Sequence, residues 1–238
     1  MQASFARLAM LVFLIALPAR ADDLADFNAA IEAAAAHQRV ALGYLRTGNI
    51  DLAAVEIDRM RTAWSRVTAL KRPAELNRDP QLYTTTMLDI STKLVGVSIM
   101  MDSGRPEAAR KSLEDIRAEL KALRKANGVV ILADCIADAN AAMDKLMVFN
   151  DVALGWSKPD TARAMSAATT EYQRELSRCD NLADAKIRAA PEFRRLIDGA
   201  KNSLLQIPAA ISQRDLDLLH RLLIELRSFD NLLAFRYG

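Results

Sequence analysis

The chain has 238 residues, of which 32 are Lys or Arg and 30 are Asp or Glu, and it is 51% hydrophobic but only 5% aromatic. Arg7 and Arg20 are the only charges before Asp22, so the chain beyond residue 21 holds 30 basic and 30 acidic residues and no net charge. That balance creates no broad positive field for a phosphate backbone, and it excludes nucleic acid as an expected partner.

The first element is an address. Arg7 opens a positive region, residues 8–17 (LAMLVFLIAL) are ten apolar residues in a row, and Ala19-Arg20-Ala21 is an A-x-A cleavage site before Asp22-Asp23. Ten residues are about half of what a bilayer core requires. The expectation is a signal peptide over residues 1–21, removed on export to the periplasm, and a mature chain with no transmembrane anchor. The remaining 217 residues are long for one core, and two domains of about 100 residues each fit usual domain sizes.

Strong helix formers dominate, alternating strand patterns are missing, and the 8 Gly and 7 Pro fall mostly between periodic segments. The fold expected is therefore all-α. Ile50, Ala53, Ile57, Met60, Trp64 and Val67 step by three and four along one helix face, as do Ala109, Leu113, Ile116, Leu120 and Leu123. Cys135, Ala139, Ala142, Leu146 and Phe149 do the same, and Leu216, Leu219, Leu223 and Leu226 continue the pattern. Such seams predict bundle packing.

Breaks recur at regular intervals. Thr47-Gly48-Asn49 offers a C′ glycine and an N-cap, and Ser103-Gly104-Arg105-Pro106 offers a C′ glycine and an early helical proline. Ser157-Lys158-Pro159 and Ser212-Gln213-Arg214-Asp215 are equivalents. Turn centres at Gly48, Gly104, Ser157 and Gln213 describe four αα-hairpins, with longer connections over residues 71–80 and 179–191. A shift of 110 residues carries Leu113 onto Leu223, Ile116 onto Leu226 and Leu123 onto Leu233. The expected architecture is a duplicated pair of antiparallel four-helix bundles, residues 22–128 and 129–238. Tyr44, Gly48 and Ala53 match three positions of a tetratricopeptide hairpin, but the spacing here is far longer than that repeat.

Cys135 and Cys179 are the only cysteines. If the third hairpin turns at Ser157, they stand opposite each other across it, each at the end of an apolar stripe. In an oxidising compartment they are expected to form a disulfide that staples the second bundle. Free buried thiols and a metal pair are the alternatives, and no C-x-x-C or neighbouring His completes a metal site.

No phosphate loop, nucleophile elbow, H-E-x-x-H or Glu-x-x-His pair is present. No catalytic set is therefore expected, and His37 and His220 read as boundary or surface residues. Arg59, Arg61, Arg117, Lys121 and Arg124 follow acidic residues at helical spacing and read as solvated faces laced with ion pairs.

Residues 54–76, with Met60-Arg61 and the linker Lys71-Arg72-Pro73-Ala74-Glu75-Leu76, resemble the second helix and crossover of soluble b-type cytochromes and cytochrome c-prime. Residues 80–123, with Gly104-Arg105-Pro106-Glu107-Ala108-Ala109, are similar to their last two helices. The resemblance implies a bundle layout in an exported protein. Those families bind haem through a histidine in the last helix, either with a methionine from the first helix or within C-x-x-C-H. Neither half has C-x-x-C-H, and residues 105–126 contain no histidine. In the second half, His220 lies near the start of the last helix, where Met143 or Met147 reaches the same pole.

The expected function is thus a haem-free periplasmic binding or scaffold protein without a cofactor, contacting a periplasmic partner or another copy of itself. The alternatives are a carrier of a haem-like ligand or metal, tested at Met143, Met147, His220 and Trp156, and an enzyme of unknown class. The aromatic and aliphatic residues Phe229, Leu232, Leu233, Phe235 and Tyr237 are expected to dock onto the second bundle.

Overall fold

The computed structural model describes residues 23–150 and 159–238. Residues 1–21, expected to be a signal peptide, Trp156 and the expected turn centre Ser157 lie outside the described residues. Within them, every regular element is helical.

The first bundle is built from α1 (Asp23–Arg46), α2 (Ile50–Ala69), α3 (Pro80–Asp102) and α4 (Pro106–Asn127). The second is built from α5 (Leu132–Met147), α6 (Pro159–Leu182), α8 (Pro191–Gln213) and α9 (Leu216–Tyr237), with a short α7 (Ala185–Ala189) in its crossover. Neighbours match in the two bundles. α1 packs on α2 and α4, and α3 packs on α2 and α4; likewise α5 packs on α6 and α9, and α8 packs on α6 and α9. Up-down-up-down connectivity with short hairpin turns produces this order.

Local chemistry sets the helix ends. Gly48 and Gly104 take φ of 75° and 67° to close α1 and α3, a left-handed conformation that costs a residue without Cβ little. Asn49, Asp79 and Asp215 accept hydrogen bonds from Leu52, Leu82 and Leu218 backbone N–H groups, so each start has a side-chain cap. Pro80, Pro106 and Pro191 each open a helix, where a missing N–H leaves no bond unmade. The second long connection is shorter than its sequence implied, because α6 runs on through Cys179 to Leu182.

Each bundle has its own hydrophobic cluster. Ala53, Ile57, Met60, Trp64, Val67, Ala109, Leu113 and Ile116 are buried in the first. Cys135, Ala139, Ala142, Leu146, Leu219, Leu223 and Leu226 are buried in the second. The three residue pairs related by the 110-residue shift are all buried as well. Leu216 departs from its stripe and is exposed, since it is the first residue of α9 and lies above the packed layers. At the other end, Leu233 is buried and Phe229 and Tyr237 pack on the core, Tyr237 edge-on to Phe193 at 5.1 Å. Leu232 and Phe235 remain exposed.

Cys135 and Cys179 form the disulfide, with Cα atoms 5.4 Å apart and a sequence separation of 44. Closing a loop of that size removes unfolded-state freedom worth about 4 kcal/mol in the chain-entropy model. Among the described residues, no single helix is long and apolar enough to cross a membrane.

Candidate functional site

The residues expected to hold a ligand in the second bundle come to one pole but form no chamber. Met143 is fully buried in the core, and Met147 packs against it from the end of α5. His220 is exposed one turn into α9, its Nδ1 2.7 Å from Asn150 Oδ1. None of these three lines a cavity described below. Among the described residues, no group of three or more His, Cys, Asp or Glu side chains is placed to hold a metal ion. His37, in the first bundle, has Nδ1 2.7 Å from Glu56 Oε2. Burial pushes the Glu56 carboxyl up, but hydrogen bonds from His37 and Arg59 outweigh it and leave the group below its ordinary range.

The concave, polar part of the molecule lies between the bundles. Helix α4 ends at Gly128, whose φ of 73° turns the chain toward α5; the break bends the path by 114°. Across this corner, Arg124 of α4 makes a bidentate pair with Asp134 of α5: Nε to Oδ2 at 2.7 Å and Nη2 to Oδ1 at 2.6 Å. Both side chains are at least nine-tenths buried. Two turns earlier on α4, Arg117 reaches the second bundle, its Nη2 lying against Gly238 and its side chain beside Asn140 and Ala234.

Two cavities adjoin here, sharing Arg117, Asn140 and Ala234 in their walls. One, of about 440 Å³, is lined by Arg39, Leu42, Arg46, Arg117, Asn140, Arg227, Asn231, Ala234 and Phe235. The other, of about 310 Å³, adds Glu114, Lys121, Arg124 and Asp134. Their arginines are held in different ways. Arg39 donates to Glu32 Oε1 at 2.5 Å and to the Gly238 carbonyl at 2.6 Å. Arg227 donates to Asp144 at 2.6 Å, and Arg46 stands 3.8 Å from Glu114.

Arg117 has no such partner among the described residues, and its Nη2 is buried without a hydrogen bond. Burial and the neighbouring Arg39 both lower its pKa. Arg124 keeps one buried nitrogen, Nη1, without a bond as well. Leaving a charged donor unsatisfied in a protein interior is expensive.

Behind the wall sits Asp230, 1% exposed. It accepts from Asn140 Nδ2 at 2.5 Å, from Tyr172 Oη at 3.4 Å and from Arg227 Nη1 at 3.5 Å. Burial is the main reason its pKa rises to about 6, with Asp144 adding to the rise and Asn140, Arg227 and Tyr172 opposing it.

Sequence reasoning placed Arg117, Lys121 and Arg124 on a solvated face, and the structure corrects this. Arg124 is buried, and its partner belongs to the other bundle. Lys121 pairs with Asp138 across the same corner. A signal was present in their spacing: Arg110, Arg117 and Arg124 recur every seven residues beside the stripe Leu113, Ile116, Leu120 and Leu123. Arginines that flank an apolar seam at heptad intervals sit at its border, where a second body can cover them.

No family model matches this chain, and neither the curated proteins nor the solved structures contain a match to it.

Proposed function

We propose that the protein is an exported, haem-free binding protein of the periplasm that holds its ligand in the cleft between its two bundles. One observation supports this reading above others: the adjoining cavities are walled by both bundles and contain arginine nitrogens that the fold itself leaves unbonded. Pockets of a few hundred Å³ with a few convergent polar groups are the usual form of small-molecule sites, and domain junctions are a common place for them. On this reading the cytochrome-like layout is a framework only, because Met143 serves the core and His220 is engaged with Asn150.

Native mass spectrometry of the protein purified from its own periplasm tests the reading. The expected result is a bound small-molecule mass that is lost on denaturation. A bare chain together with a co-purifying protein favours a scaffold role instead. A feature of α3 supports that second reading: Leu88, Val95 and Ile99, 63%, 54% and 56% exposed, line one outer stripe of a helix whose opposite face is already buried. A helix apolar on both sides is a recurrent feature of partner surfaces.

A further inference from the structure

We propose that the cleft between the bundles is a site for a small oxyanion carrying two or more negative charges, a phosphate or a polycarboxylate, with Arg117 at its centre. This rests on the binding-protein reading above and specifies its ligand.

Charge is the first argument. The larger cavity is walled by Arg39, Arg46, Arg117 and Arg227, with Asn140 and Asn231, and by no acidic side chain. Arg39, Arg227 and Arg46 each face a carboxylate, whereas Arg117 is hydrogen-bonded to none among the described residues, so the unmatched positive charge that repels a cation and attracts an anion centres on Arg117. The acidic groups nearby are bonded elsewhere than to Arg117: Glu32 to Arg39, Asp144 to Arg227, Asp134 to Arg124, and Glu114 to Arg110 at 2.7 Å and to Arg46 at 3.8 Å, while Arg39 also donates to the Gly238 oxygen.

Unmet bonding is the second. Arg117 Nη2 and Arg124 Nη1 are buried donors without acceptors, on guanidinium groups that both line the smaller cavity. The fold leaves both donors unsatisfied. An oxygen-rich anion in the cavity would supply the acceptors such donors lack, and the planar guanidinium fork matches phosphate and carboxylate alike. A chloride ion has no separate oxygens to meet two forks. Leu42, Ala234 and Phe235 also line the larger cavity, whose volume of about 440 Å³ has room for a metabolite-sized ion.

Thermal unfolding of the exported, disulfide-bonded protein tests this with three additives at matched ionic strength: inorganic phosphate, citrate and sodium chloride. Phosphate or citrate should raise the midpoint by roughly 5 °C at about a hundredfold excess over its Kd, and chloride should not. Which of the two acts separates a phosphate ligand from a carboxylate one.

Arg117→Met should abolish the anion-induced rise while raising the midpoint of the unliganded protein, since it removes an uncompensated buried charge. An arginine retained for structure alone would lower that midpoint. Arg46→Gln, at the exposed rim, should leave folding intact and weaken the effective anion about tenfold, so the test survives any failure of Arg117→Met to fold. The assignment is overturned if neither anion exceeds chloride, or if both variants respond as the parent does. A bound mass in native spectrometry with no anion response would reject the oxyanion and leave the binding reading standing. Absence of both would reject the two together.

Discussion

Asp230 shows how one side chain ties the second core to the cleft. Its carboxyl is almost fully enclosed and faces Asn140 and Asp144 from α5, Tyr172 from α6 and Arg227 from its own helix. Removing water from a carboxylate raises its pKa, here to about 6 from 3.8, and Arg227, 3.5 Å away and shared with Asp144, offsets only part of that rise. The folded state therefore holds this proton more tightly than the unfolded chain does. Its stabilising effect is complete below pH 3.8 and is lost as pH rises through about 6, a difference of about 2–3 kcal/mol across that interval. Asp230→Asn keeps a carbonyl acceptor for Tyr172 and removes the titration. Urea denaturation from pH 4 to pH 8 should show the variant gaining stability relative to the parent as pH rises. Equal pH profiles for the two proteins would contradict this account. Groups such as Asp138, which burial raises but Lys121 and Arg178 lower further, act with the opposite sign in both proteins and cancel in the comparison.

At the scale of the element, the described hairpin turns repeat a device with one substitution. Gly48 and Gly104 fill the left-handed position after α1 and α3, and Arg214 fills it after α8 at φ 55°. A side chain in that conformation costs about 1 kcal/mol or more relative to glycine. Arg214→Gly should therefore raise stability by about 0.5–1 kcal/mol, read as an increased urea midpoint at unchanged slope. The opposite requirement appears at Gly199 of α8, where an added Cβ would lie 2.6 Å from Phe229 Cζ. There a glycine is needed for close approach to α9, and the ring of Phe229 occupies the space. Gly199 lies within α8 and Arg214 just after it, so glycine is favoured by the backbone at one place and by a neighbouring ring at the other.

At the scale of the whole molecule, two clusters of apolar residues are joined by a polar corner. Lys121 and Arg124 from α4 meet Asp138 and Asp134 from α5, and Arg178 of α6 reaches Asp138 at 2.7 Å. Arg39 of α1 spans to the Gly238 carbonyl. A buried pair contributes little net stability against an apolar replacement, but breaking it on one side is costly. Arg124→Leu, which leaves the Asp134 carboxylate enclosed and alone, should cost about 3–5 kcal/mol. Adding Asp134→Leu should recover most of that loss, because no orphaned charge remains. The two single variants and the double form a cycle, and additive losses would show that the pair is not coupled.

From sequence alone, apolar periodicity determined where the helices lie and which face each one buries. The spacing of Gly48 and Gly104 located two of the turns, and the antiparallel register paired Cys135 with Cys179. These features are legible because they depend on neighbours within about 60 residues and on the 3.6-residue period. Met143 and Met147 were read as ligand candidates, but Met143 is buried in the core, Met147 packs against that core, and His220 is met by Asn150 from the turn after α5. The arginines of the cleft were not legible as a site. Arg39, Arg117 and Arg227 stand far apart in the chain, and each alone resembles a solvated helix face. Only the corner between α4 and α5 brings one bundle against the other. That contact removes water from Arg117 and Arg124, and desolvation is decided by what lies across the gap, which the sequence around each arginine does not encode.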